Sequence, residues 1–409
     1  MKKLSRIVLA AAMIAGATSV MTACENIKGA EYKAGDPVKV GLICLHGEES
    51  TYDNNFIQAM KKAATELGAD KMAEPIIKTN VGEDKSCFNA AKELVKQGCN
   101  VIFADSFGHE EFMLKAAKKW PTVQFCHATG TQAKVAGVEN FHNAFASIYE
   151  GRFLAGYAAG LKLNKMTIAD NQKDANGAIK LGYVGAFPYA EVVSGYTSWY
   201  LGVKAASTAD VVMSVTYTSS WYDFNAEKEA AEGLINGQHV ALMSQHADSY
   251  GAPGACEAAG VPDVSYNLPT SDQCPNTYTA YSRINWAPYY KEVVNAVANG
   301  TKLAPNYTGT LQSGSVEWDV VDATDKAAVQ AVEAELKAGT RKVFDCDTFT
   351  VGGAKLTSYK ADVDDFGDFV KETEAIKSEG GKTWFDESAL RSAPYFDVRI
   401  DGITELNNN

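Results

Sequence analysis

Nowhere do the 409 residues carry a GxSxG elbow, an HExxH pair or a phosphate-binding P-loop, so the familiar signatures of serine hydrolases, zinc proteases and P-loop nucleotidases are missing. The cysteines show no CxxC spacing and no Cys/His pattern of a metal site, and the six histidines have no fixed i,i+4 relation. No DxDxxxDD run is present to hold the calcium that a nucleoside hydrolase needs. Basic clusters are absent as well. The formal charge is −12, and it falls to −15 if residues 1–23 leave with Lys2, Lys3 and Arg6. An acidic chain without a basic stripe has nothing to neutralise phosphates, which argues against nucleic acid as a partner. Low-complexity tracts and short-period repeats are also missing. These absences favour binding over reaction, with no cofactor or metal expected.

What is present begins with the N-terminus. MKKLSR is basic, and IVLAAAMIAGATSVM is apolar but short for a membrane span. It runs into M-T-A-C at Cys24, the pattern of a bacterial lipoprotein signal. The expected product starts at a lipidated Cys24, held on the extracytoplasmic side of the cell membrane, with residues 24–37 as a tether. The alternative is an ordinary secretion signal with a chance cysteine. Of the seven remaining cysteines, Cys256 and Cys274 flank a loop and can pair if the compartment oxidises.

From residue 38 the text alternates. VKVGLICL, EPIIKTNV, NVIFADS and VQFCHATG read as strands, separated by helical patterns such as NNFIQAMKKAATELG and CFNAAKELVKQGC. SIYEGRFLAGYAAGLKL is a long helix. The rhythm restarts at AIKLGYVGAF and continues through AEVVSGYTSWYLGVKAAS, VVMSVTYT, the helix FNAEKEAAEGLINGQ and HVALMSQ. Apolar strands separated by helices predict a parallel sheet covered on both faces, and two such series predict two doubly wound α/β lobes. MTIADNQKDANG (166–177) reads as a surface insertion, NYTGTLQSGSVEWDVVD as strands, AAVQAVEAELKAG as a helix; the polar tail beyond carries no period.

Ligands of open α/β sheets bind beyond the carboxyl ends of strands. The loops predicted there carry His46, Tyr52, Phe107, His127, Phe187, Trp221, Tyr222, His246 and Asp248. Rings alternating with a few hydrogen-bonding groups suit a flat, neutral molecule with a polar edge. Each has a structural alternative. Trp221 is read as a ligand contact and Tyr222 as a staple over the following helix, with Asp223 as its N-cap. Asp248 lies too early to cap the helix that starts after Gly251 or Pro253, so it is read as an edge contact. His46, His127 and His246 can equally bond loop carbonyls. Phe107 and Phe187 are rim rings or core plugs, and Trp286 is exposed unless something packs on it.

In order along the chain, FADSFG, FCHATG, YEGRFLAG (149–156), LGYVGAFP (181–188), SSWYD (219–223), QHADS and INWAPYY closely resemble the basic membrane protein family, which includes the purine nucleoside receptors. The resemblance runs from about residue 38 to at least 290. It implies a type I periplasmic-binding fold whose two lobes are joined by a hinge: lobe 1 from 38–143 and about 287–315, lobe 2 from 144–286 and about 316–409. It implies an extracytoplasmic lipoprotein that gives a purine nucleoside or base to the permease and ATPase of an ABC importer. By that similarity Trp221 matches the tryptophan of the family's Trp-Tyr-Asp motif, Asp248 the aspartate after its Gln-His pair, and Trp286 the tryptophan at the return hinge. Two positions depart. Relatives often place tryptophan near Ser50, where this chain has Tyr52 close by, and asparagine at Ser219. A sugar, a signal molecule, or a sensor role beside a membrane receptor are the alternatives; genomic neighbours separate the last from transport.

Overall fold

The computed structural model describes residues 27–363 and 371–408. The expected signal segment 1–23 and Cys24 lie outside the described residues.

Two sheets organise the chain. The first contains β1 (Val40–Ile43), β2 (Ile76–Lys78), β3 (Val101–Ala104), β4 (Gln124–Ala128), β5 (Phe141–Ala146) and β11 (Asn306–Gly309), in the order β11-β5-β4-β3-β1-β2. Every pairing in it is parallel. The second contains β6 (Ile179–Gly185), β7 (Val211–Tyr217), β8 (Leu242–His246), β9 (Asp263–Tyr266), β10 (Tyr278–Ile284), β12 (Val316–Val320) and β17 (Ile403–Glu405), in the order β12-β10-β9-β8-β6-β7-β17. Only β12, against β10, runs antiparallel in it. Between these strands lie α1 (Thr51–Leu67), α2 (Lys85–Lys96), α3 (Glu110–Lys119), α4 (Ile148–Leu163), α5 (Ala190–Ala206), α6 (Phe224–Glu232), α7 (Gly251–Ala259), α8 (Ala287–Asn299) and α9 (Ala323–Lys337). The tail adds the short ribbons β13 (Lys360–Ala361) with β14 (Thr373–Glu374) and β15 (Ile376–Glu379) with β16 (Lys382–Phe385).

Local chemistry fixes these boundaries. The four residues of β1 and of β3 are all buried, as a strand covered on both faces requires. Ser50 caps α1 by accepting from the Asp53 amide, and Gly68, at φ 84°, ends it. Asp223 caps α6 through the amides of Asn225 and Ala226, as its spacing predicted. The helix expected to run unbroken to Gln238 instead changes at Gly233 to a wider π turn, which ends at His239 in the left-handed region. Cys256 and Cys274 are both free thiols, as are the other five described cysteines.

Each sheet has apolar packing on both faces. Ile43, Leu94, Ile102, Trp120 and Phe125 fill one side of the first. Val184, Leu234, Ile235, Val240 and Met243 fill one side of the second. The YEGRFLAG stretch is explained by crowding. A Cβ on Gly156 would stand 2.1 Å from the Trp199 carbonyl oxygen, so α4 and α5 touch backbone to backbone there. Arg152 of the same motif is fully buried, donating to the Gln245 carbonyl (3.1 Å) and the Tyr183 hydroxyl, with its guanidinium 4.4 Å from the Tyr266 ring centre.

The chain passes between the sheets three times: from β5 to α4, from β10 to α8, and from β11 to β12. The tail then returns to both. β17 extends the second sheet at β7, and Ser392 donates to Asn306 of β11 in the first (3.0 Å). Among the described residues no helix is long and apolar enough to cross a membrane.

Candidate functional site

A cleft opens where the carboxyl ends of the two sheets face each other. The first sheet supplies Leu45, His46, Tyr52 and Asp53 after β1, Ser106 and Phe107 after β3, and Thr129 after β4. The second supplies Glu191 after β6, Trp221 after β7, and His246 and Asp248 at the end of β8 and beyond it. The gap left between them is about 20 Å³ measured for the centres of water-sized occupants, so the lobes are nearly shut on each other.

Aromatic side chains form the walls. Trp221 is half-buried, with Phe187 edge-on to it at 5.0 Å and Tyr189 at 6.1 Å. Tyr189 stacks on Phe187 (5.0 Å) and also reaches across to Phe107, 5.7 Å away on the other lobe. Phe107 is 46% exposed, so its ring is held by that contact at the mouth of the cleft and not by a core. Tyr52 packs edge-on against Phe56 and donates its hydroxyl to the Asp105 carbonyl (2.8 Å).

The polar groups are carboxylates and imidazoles. Burial works to raise the Asp53 carboxyl, but bonds from the His46 ring, the Ser50 hydroxyl and the His46 amide together hold it below the usual range. His46 Nδ1 lies 3.4 Å from that carboxylate. Beneath it, Asp105 accepts from the Leu45 amide through one oxygen, and among the described residues the other has no hydrogen-bond partner. Burial, then the nearby Asp53 charge, pushes Asp105 well above the carboxylate range. Cys44 completes this group; its ligand atom and those of Asp53 and Asp105 lie within 4.8 Å of one another. Burial drives the Cys44 thiol and the Asp105 acid toward their neutral forms. The cluster therefore accounts for a retained proton beside one carboxylate better than for a divalent ion, which needs deprotonated ligands.

Asp248 is 4% exposed, and burial, followed by the charges of Asp53, Glu227 and Glu191, pushes its acid well above the usual range. Asn267 donates to one of its oxygens (3.3 Å). Glu191, in the first turn of α5, has one oxygen 3.5 Å from His246 Nε2. His246 is lowered, chiefly by burial, and its Nδ1 has no hydrogen-bond partner. The ring proton thus belongs on Nε2, facing Glu191.

The lobes touch over the cleft. The Thr51 amide and hydroxyl both point to the Asp248 carbonyl (2.8 and 3.1 Å), and the His46 ring lies 5.3 Å from that of Tyr222. Tyr222 was expected to staple α6, yet it faces the opposite lobe.

Of the nine binding residues read from sequence, Trp221, Asp248, Tyr52, Phe107 and His46 lie in the cleft wall. Phe187 stands one ring behind, against Trp221. Three others lie elsewhere. Trp286 is 1% exposed, stacked on Phe56 at 4.4 Å and edged by Phe103 and Phe145, so it seals the core beneath the crossing. His127 is fully buried, with Nε2 on the Ser106 carbonyl (2.7 Å); burial takes its pKa down to about 3. Ser219 is exposed at φ 59° and bonds the Ala186 carbonyl through its amide, a turn position outside the cleft wall. Sequence reasoning did not select Asp53, Ser106, Thr129 or Glu191, and it weighed His246 as structural. The signal for Glu191 was an acid in the first helical turn after a strand, which a helix-dipole preference explains equally well.

The sequence profile described as "ABC transporter substrate-binding protein PnrA-like" matches residues 41–344. The chain is 30% identical over 332 residues to a purine-binding protein of Brucella abortus, covering 80% of this chain and 88% of that one. It is 29% identical over 215 residues to a putative ABC transporter glucose-binding protein of Haloferax volcanii, covering 53% of this chain and 50% of the relative. A solved solute-binding protein of an ABC transporter system from Conexibacter woesei superposes with a TM-score of 0.58 at 22% identity, covering 75% of this chain and 98% of that one. Two parallel-sheet lobes joined by three crossings, a cleft at their facing strand ends and this match over most of the chain have one reading: the chain belongs to the PnrA-like, or Bmp, family of ABC transporter substrate-binding proteins.

Proposed function

We propose that this substrate-binding protein captures a purine nucleoside or purine base between its lobes and presents it, closed, to the permease and ATPase of its importer. The observation that carries the reading is a cleft with flat rings from both lobes, Trp221 on one side and Phe107 with Tyr52 on the other, and carboxylates at its edge. A heterocycle offers two faces for stacking and a rim of donors and acceptors for Glu191 and Asp248. The similarity to a purine-binding relative supports the same ligand class.

Closure follows from differential affinity. An open form leaves the ligand one wall; the closed form adds the opposite ring and the edge contacts, so ligand shifts the population toward closure. In this reading 24–37 tether the lobes to a lipidated Cys24 on the outer side of the membrane.

The test is thermal denaturation and calorimetry of the chain from Cys24 onward with guanosine, adenosine, inosine, hypoxanthine and D-glucose. A purine at micromolar concentration is expected to raise the melting temperature. A response to glucose alone, or to no purine up to millimolar levels, overturns the reading.

A further inference from the structure

Hydrogen-bond direction in the cleft carries a second conclusion. A hydroxyl has one proton to donate. Tyr52 gives its proton to the Asp105 carbonyl (2.8 Å), Ser106 to Glu83 (2.6 Å), and Thr129 to the Ala128 carbonyl (2.6 Å). All three therefore face the cleft with lone pairs only. Glu191 has one oxygen near His246 Nε2 and keeps the second as an acceptor, whereas Asp248, with Asn267 on one oxygen, is driven by burial toward its proton-bearing form. Asp53 is occupied by His46 and Ser50. Among the described residues no lysine or arginine is part of the wall. Apart from the Asp248 acid proton and the Trp221 indole N–H, the side chains of the wall thus offer acceptors and negative charge.

The Glu191 carboxylate is held in place. Its side chain is 11% exposed, and the His246 ring that faces it is itself packed on Tyr266 at 4.6 Å. Because His246 Nδ1 has no acceptor, the ring presents Nε2–H to one Glu191 oxygen and leaves the other for the cleft.

Building on the purine reading, we propose that the site selects purines bearing an exocyclic amino group, that Glu191 is the acceptor reading that group, and that phosphorylated purines are refused. An exocyclic amine presents an N–H to the free Glu191 oxygen; in guanine the ring N1–H stands beside it as a second donor, in adenine the amine donates alone. An oxo group presents lone pairs to lone pairs, and a phosphate brings charge to a wall that already carries the carboxylates of Asp53 and Glu191.

Calorimetry with guanosine, adenosine, inosine, xanthosine and guanosine monophosphate, on the wild type and Glu191→Gln, tests this. The better of guanosine and adenosine is expected to bind at least about tenfold tighter than inosine or xanthosine, and the monophosphate to give no heat. Glu191→Gln is expected to cost the aminopurine about tenfold and inosine less than about twofold, at an unchanged melting temperature. Equal affinity for inosine, measurable binding of the monophosphate, or an unaltered selectivity ratio in Glu191→Gln overturns the inference while leaving purine capture intact. Silence from every purine overturns both.

Discussion

Thr51→Pro isolates one contact between the lobes. Thr51 is the first residue of α1, where an amide has no intrahelical acceptor, and here its N–H crosses to the Asp248 carbonyl of the other lobe at 2.8 Å. Proline is well tolerated at that helical position, and Ser50 before it is already extended, at φ −84° and ψ 129°, as the residue preceding a proline must be. The substitution removes the amide proton and the hydroxyl together and leaves the Asp248 carbonyl without either partner in the closed form. A buried acceptor stripped of its donors costs about 1–3 kcal/mol, all of it charged to the closed state because the open state solvates the group. Ligand affinity should fall about five- to 150-fold, and the apparent radius by small-angle scattering with saturating guanosine should shift toward the ligand-free value. Ligand-free melting should move little. Unchanged affinity and unchanged scattering would show that this bond adds nothing to closure. A large drop in ligand-free stability would show instead that the position is not a free helix start.

Two further substitutions separate roles that look alike in the sequence. Trp221→Ala removes a cleft wall and should weaken guanosine binding by about 1–3 kcal/mol in calorimetry with a small change in melting, whereas Trp286→Ala empties a core site against Phe56 and should cost about 3–5 kcal/mol of stability in urea unfolding; the reverse pattern would reassign both rings. Glu227 is fully buried, accepts from the Asp223 and Ser249 amides, and is pushed up to about 7, chiefly by burial. Its folded pKa exceeds the unfolded value of about 4.3, so the stability it supplies is complete below about pH 4 and is lost as pH rises through about 7. Glu227→Gln lacks that loss, and the stability gap between variant and wild type should move in favour of the variant by up to about 3 kcal/mol from pH 4 to pH 8; a gap independent of pH refutes the assignment.

The fold was legible because its strands announce themselves. VGLI and VIFA are short apolar runs between amphipathic helices, and a doubly wound sheet places its site at the carboxyl ends of such runs whatever the residues are. That rule picked out Trp221, Asp248, Tyr52, Phe107 and His46, which line the cleft. Trp286 escaped it because its packing partners, Phe56, Phe103 and Phe145, come from three elements far away in the chain. His127 and Ser219 sit at equally plausible strand ends, and only the carbonyl each one bonds shows that the loop uses them itself. The tail has no period to read. It is held by a cluster of rings, Phe344 on Phe396 at 4.1 Å and Phe385 on Phe396 at 4.8 Å, and by three residues of β17 paired with a strand nearly two hundred positions earlier.

The bond between Thr51 and Asp248 joins two peptide groups, and its main-chain part does not depend on which side chains surround it. The groups proposed to meet cargo, in contrast, are side chains: rings and carboxylates that single-base changes can replace. On the proposed function, recognition and closure therefore rest on separate parts of the molecule. A descendant can exchange Trp221 or Glu191 and acquire a new passenger while offering its transporter the same shut silhouette.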